Sequence, residues 1–236
     1  MADDLTTFLV PRSATPERPL MGLTVLLVED SRFASEAVRL LCLRSGARIR
    51  RADCLASAHR HLQCYRPSVV IVDMGLPDGS GGELIAEIRQ MVPAVPVVLG
   101  ISGDSGLRAD AIAAGADGFL DKPVESLAQF QQAILNALPM DERPKGLRAL
   151  SDSVVEPDPL ALRDDLQHIS EVLREGRKSQ VMPYAAHFLA GVALSAHDRA
   201  LGDAAARLAR IGGPSHEDFS HVSGLVAARL ASGDAF

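Results

Sequence analysis

Residues 68–77 read SVVIVDMGLP, and their reading decides the fold. A run of mostly β-branched apolar residues, 68–72, leads straight into a carboxylate, Asp73, and then into a turn with Gly75, Pro77, Asp78 and Gly79. A continuous apolar run closed by turn residues predicts a strand buried on both faces of a parallel sheet. In such sheets ligands sit outside the carboxyl ends of the strands, where Asp73 lies. A single aspartate after a strand also serves as a helix cap or turn former. The weight therefore rests on the residues around it.

The chain of 236 residues is long enough for one or two domains with their own cores, and its 47% apolar content is that of a globular protein. No apolar run approaches a bilayer-spanning length, and the opening MADDLTTFLVPR has no basic stretch followed by an apolar one. A cytoplasmic location without membrane attachment is expected. Cys42, Cys54 and Cys64 are odd in number and lack ligand-like spacing with histidines, so they are read as reduced, small core residues. A net charge of −6, no Trp and two Tyr argue against a general nucleic-acid binder.

Residues 1–20 carry Pro11, Pro16 and Pro19 among polar residues and are read as a flexible arm. From residue 21 the pattern becomes regular. Strands are expected at 23–28, 47–51, 68–72, 96–101 and 117–121, with helices after Ser31 and at 55–65, 82–91, 107–114 and 125–138. Five strands alternating with five helices predict a doubly wound five-stranded parallel sheet over 21–138. Residues 139–157 hold three prolines and many charges and read as a linker. Residues 158–236 are helical throughout and predict an all-α four-helix bundle.

The strand ends share a chemistry. The first ends at Glu29 and Asp30, the third at Asp73, the fourth near Ser102, and the fifth leads to Lys122 and Pro123. Three carboxylates in one pocket repel, and the repulsion must be relieved by a cation or by protonation. An oxygen-only set of two or three carboxylates plus a main-chain carbonyl suits Mg²⁺. A lysine and a hydroxyl nearby suit phosphoryl oxygens, and the set fits phosphoryl transfer to Asp73 as nucleophile.

On VLLVED, VVIVDMGLPDGSGGELI, PVVLGISG and GADGFLDKPV, residues 22–138 resemble the receiver domain of two-component response regulators, whose sheet is flavodoxin-like. The resemblance implies that Asp73 accepts a phosphoryl group from a histidine kinase or phosphotransfer protein, and that the domain phosphorylates and dephosphorylates itself. It implies that Glu29, Asp30, Asp73 and the Gly75 carbonyl hold Mg²⁺, and that Lys122 pairs with phosphoryl oxygens. Ser102 becomes the hydroxyl that moves toward the phosphoryl group, Phe119 the aromatic switch, and the Lys122–Pro123 bond is expected to be cis. The stretch from Ser102 to Gly115 is about two residues shorter than the family's usual spacing.

In the helical region, His187 lies one step off the apolar stripe at Phe188, with Gly191 one turn on. A solvated histidine beside a glycine lets another surface approach. His187-Phe188-Leu189-Ala190-Gly191 resembles the H-x-L-K-G motif of histidine phosphotransfer (HPt) domains, with Ala190 where the family has lysine. The resemblance implies a relay through His187, facing a receiver of this chain or of a partner. The alternative is a helical domain that only binds protein or supports a homodimer when Asp73 is phosphorylated. No other histidine pair has metal-like spacing, and no independent catalytic domain is expected. DNA binding is disfavoured, because residues 158–236 hold 8 Arg/Lys against 10 Asp/Glu, a balance of −2.

Overall fold

The computed structural model describes residues 14–144, 151–175, 182–209 and 215–232. Strands β1 (Thr24–Val28), β2 (Arg48–Ala52), β3 (Val69–Asp73), β6 (Val97–Ser102) and β7 (Gly118–Asp121) form a parallel sheet in the order β2-β1-β3-β6-β7. Between β3 and the next helix sits a hairpin, β4 (Gly75–Leu76) with β5 (Gly79–Ser80), which the turn-rich sequence there did not predict as strands. Helices α1 (Arg32–Ser45), α2 (Leu55–Cys64), α3 (Gly81–Arg89), α4 (Arg108–Ala113) and α5 (Leu127–Ala137) complete the layers. Sequence and structure agree on these elements to within a few residues. A short 3₁₀ turn at Ser105–Leu107 precedes α4, which is only six residues long.

All five residues of β3 are buried. Alternate residues feed different cores. Val69 and Ile71 join Val25, Leu27, Leu41 and Phe130 on the side of α1 and α5. Val70 and Val72 join Leu26, Val28, Ile85 and Ile88 on the other side. That is why the strand lacks a polar face. Ser31 caps α1 by accepting from the Ala34 amide, and α1 ends at Gly46, whose φ of 85° is left-handed.

The arm expected at 1–20 needs correction in its described part. Leu20 is fully buried in the α1–α5 core, and its amide donates to the Ser45 carbonyl. Residues 1–13 lie outside the described residues. So do 145–150 of the expected linker, and residues 176–181, 210–214 and 233–236 of the helical region. The later linker is tied down: Val155 is buried and Ser126 bridges to Val154.

Four helices follow, α6 (Pro159–Glu175), α7 (Met182–Ser195), α8 (Arg199–Leu208) and α9 (His216–Ser232). They share one apolar cluster that includes Leu166, Ile169, Leu189, Val192, Ala205 and Val226. Phe33 from α1 also enters that cluster, so the helical region packs on the receiver-like sheet domain. Helix α7 is apolar nearly all round, as suits a helix wedged between its neighbours and the first domain. Among the described residues, no helix is long and apolar enough to cross a membrane.

Candidate functional site

Strand register assembles the site. Val28 lies beside Val72, so Glu29 and Asp30 emerge next to Asp73. Asp73 lies beside Ile101, and Ser102 beside Asp121, which brings Lys122 to the same edge. One ligand oxygen from each of Glu29, Asp30 and Asp73 falls within 4.8 Å of the others. Lys122 Nζ lies 3.0 Å from Asp73 Oδ2, to which it donates, and 2.8 Å from Glu29 Oε2. Both acidic oxygens therefore share one buried ammonium, and Glu29 Oε2 is ion-paired to it. The Lys122–Pro123 bond is cis.

Burial pushes the Glu29 carboxyl well up, with Asp73 adding to it and Lys122 only partly opposing. Burial and the Asp73 charge push Asp30 up to about 6, against a hydrogen bond from Tyr184. Asp73 moves the other way. Burial raises it, but the Lys122 ammonium and the His187 imidazole together hold it below the usual carboxylate range. The Lys122 ammonium resists its own burial because Asp73 and Glu29 surround it, and its pKa is raised. The nucleophile candidate is therefore ionised while its acidic neighbours carry the repulsion.

That arrangement predicts a pH-dependent effect of Asp30→Asn. A carboxyl raised to about 6 contributes stability that is full below its unfolded value and lost as pH rises through about 6. Without divalent metal, Asp30→Asn should raise the melting temperature at pH 7.5, by on the order of 1 kcal/mol in stability. At pH 4 the gain should vanish. An equal gain at both pH values in calorimetry would refute this electrostatic assignment.

The remaining sequence candidates divide. Ser102 is fully buried at the end of β6, and its hydroxyl accepts from the Asp104 amide. Phe119 is buried in the core on the α3–α4 side of the sheet, with the Arg108 guanidinium 5.0 Å from its ring centre. Gly75 sits in the hairpin, and its amide lies 3.5 Å from Asp73 Oδ1.

His187 corrects the expectation of a solvated residue. Its side chain is 29% exposed, and Nε2 lies 3.9 Å from Asp73 Oδ1 of the same chain. Asp73 is left 2% exposed. Helix α7 lays one stripe across the site. Tyr184 donates to Asp30 Oδ2 at 2.8 Å, and His187 faces Asp73. A side-chain carbon at Gly191 would lie 3.6 Å from Lys122 Nζ, and one at Gly103 would lie 2.6 Å from Leu194. Residues 184, 187, 191 and 194 follow the spacing of one helix face. Sequence reasoning found His187 and Gly191 but missed Tyr184, whose place in the stripe shows only once its partner is known. A cleft of about 820 Å³, lined in part by Glu29, Asp30, Arg51 and Tyr184, opens on the acidic pair.

A family model of the response regulator receiver domain matches residues 25–135. The chain is 30% identical over 162 residues to the transcriptional regulatory protein KdpE of Mycobacterium tuberculosis (strain ATCC 25618 / H37Rv), a match covering 67% of each chain. It is 33% identical over 99 residues to the KDP operon transcriptional regulatory protein KdpE of Escherichia coli (strain K12), covering 42% of this chain and 44% of that one. The chain belongs to the response regulator family, and residues 25–135 are its receiver domain.

Among solved structures, a response regulator from Thermotoga maritima is 26% identical with a TM-score of 0.44, covering 49% of this chain and 96% of that one. The receiver domain of sensor histidine kinase PA1611 from Pseudomonas aeruginosa PAO1, which has a magnesium ion in its active site cleft, is 24% identical with a TM-score of 0.43. That match covers 48% of this chain and 93% of that one. Because the curated relatives are named as transcriptional regulators, the expected lack of nucleic-acid binding draws no support from them.

Proposed function

We propose that this chain is a two-component response regulator in which Asp73 accepts a phosphoryl group and exchanges it with His187 of its own helical domain. The observation that carries this reading is the 3.9 Å separation of His187 Nε2 and Asp73 Oδ1. That is longer than a hydrogen bond, ~2.9 Å, and leaves room for a phosphorus atom between attacking and leaving atoms. In the exchange the P–O bond to Asp73 breaks as a P–N bond forms to Nε2 of the neutral imidazole. The Asp73 carboxylate is regenerated. The Nδ1 proton stays on the ring or leaves to water, and no further reactant is needed.

Lys122 holds a positive charge beside Asp73 Oδ2, where charge on phosphoryl oxygens would build. It also stands next to Gly191, so a cation is present although Ala190 replaces the motif lysine. Glu29, Asp30 and Asp73 fit a divalent cation, because three carboxylates converge on one point and repel, with a single ammonium to offset them. Bound Mg²⁺, with the Gly75 carbonyl as a further ligand, would neutralise charge on the transferring group. A Glu29→Gln, Asp30→Asn double variant should lose Mg²⁺ affinity by ~100-fold or more, read by titration calorimetry. Unchanged affinity would refute this ligand set.

The binding-only alternative keeps His187 as a cover over Asp73 without transfer. Acetyl phosphate labelling separates the two readings. Base-labile phosphate on Asp73 together with acid-labile phosphate on His187 supports exchange, and label confined to Asp73 leaves only the cover. The Ser102 and Phe119 roles, the histidine kinase donor and homodimerisation belong to this same proposal.

A further inference from the structure

Asp165 of α6 is 2% exposed, and its carboxylate is spent on the other domain. It accepts from Ser31 Oγ at 2.7 Å, from the Arg32 amide at 2.8 Å and from the Phe33 amide at 3.0 Å. Ser31 itself caps the Ala34 amide. The first amides of an α-helix have no partner within it, and they carry the positive end of its dipole. A buried carboxylate from the helical domain therefore completes the N-terminus of α1. Burial raises the Asp165 carboxyl, and the bonds from Phe33, Ser31 and Arg32 oppose that rise.

The location matters as much as the bond count. The clamped segment follows directly on Glu29 and Asp30, and the Ser31 amide donates to Glu29 Oε1 at 3.1 Å. The adjacent Phe33 ring enters the helical domain's core. A second polar contact, Tyr184 to Asp30, lies one turn from His187. His168 Nε2 lies 3.2 Å from the Tyr184 hydroxyl and helps fix it. Helices α6 and α7 are thus referenced to the same short receiver segment, 30–33.

We propose that Asp165 is a positioning residue for exchange between Asp73 and His187: its carboxylate grips the N-terminus of α1 and holds α7 in register over the phosphorylation site. This rests on the exchange reading above. It adds a specificity argument. The bonds go mainly to main-chain amides, which any receiver presents. The discriminating contacts are then the Phe33 socket and the Tyr184–Asp30 pair, so the clamp favours a receiver whose α1 opens with an aromatic residue. This chain's own receiver meets that requirement. A foreign phosphodonor protein must displace the clamp before it reaches Asp73.

The test uses the full chain with Asp165→Asn, which keeps size and removes charge, and Tyr184→Phe as an independent second variant. In each, acetyl phosphate labelling of His187 should fall ~10-fold or more, while Asp73 labelling stays equal or rises. Hydrogen exchange should quicken in peptides covering 30–34 and 184–195, and a helical signal in circular dichroism should persist. Asp165→Glu should recover part of the His187 label. A merely structural role would lower both labels together and would overturn the proposal, as would unchanged exchange in peptide 30–34. If wild-type chain never labels His187, the exchange reading fails, and the hydrogen-exchange comparison alone decides the clamp.

Discussion

Asp73→Asn should remove base-labile phosphate from the chain altogether, a loss of more than ~100-fold against acetyl phosphate, and should remove acid-labile phosphate from His187 with it. The amide keeps the shape of the carboxylate but is not a nucleophile. Lys122 would still find an acceptor in the amide oxygen, so the site should stay folded. The second loss follows from the exchange proposal, in which His187 takes its phosphoryl group from the Asp73 carboxylate that its Nε2 faces. His187→Gln should give the complementary pattern, with Asp73 label kept and acid-labile label gone. Label on Asp73→Asn at the wild-type level would end the receiver-site assignment. Persisting His187 label in that variant, from acetyl phosphate alone, would end the internal route.

Much of the receiver half was legible because its signals are local. Residues 68–72 read as a buried strand because turn residues bound a short β-branched run, and β3 has all five positions buried. Glu29, Asp30, Asp73 and Lys122 each sit at the end of such a strand, so parallel pairing alone predicts their convergence. The hairpin at 75–80 was missed because its two-residue strands look like the turn that joins them. Leu20 was lost among prolines and polar residues, although a single buried leucine is enough to anchor the arm's end.

The helical half was legible as helices but not as a partner for the first. Ser31 and Asp165 are 134 positions apart, and Asp30 and Tyr184 are 154 apart. Contacts at such separations leave no period in the sequence. Asp165 reads locally as one of two acids on a helix. Asp164, its neighbour, does reach Arg32, but both partners are largely exposed and the pair contributes little. Only burial distinguishes the two aspartates, and burial depends on where α6 docks. His187 was found by its motif, yet the motif says nothing of which receiver it faces.

The same distinction makes Gly75→Ala the sharpest test of docking. Sequence reasoning valued Gly191 as the small residue that admits another surface, and Gly75 for its carbonyl. The spacing in the structure inverts this. A side-chain carbon built on Gly75 would overlap the His187 ring, and its three nearest atoms all belong to that imidazole. One built on Gly191 would meet Lys122 Nζ at 3.6 Å, an ordinary contact. Gly75 is not among the glycines with positive φ, so alanine suits its backbone in an isolated receiver. The methyl group therefore meets the docked helix first. Overpacking of this kind costs about 1–3 kcal/mol, which should weaken docking by ~10- to 100-fold. Gly75→Ala should lose His187 label by that factor and gain Asp73 labelling from acetyl phosphate, with the receiver's own melting little changed. Gly191→Ala should keep most of its His187 label. Equal labelling of His187 in wild type and Gly75→Ala, with unchanged hydrogen exchange in α7, would show that the imidazole does not rest on the hairpin in solution.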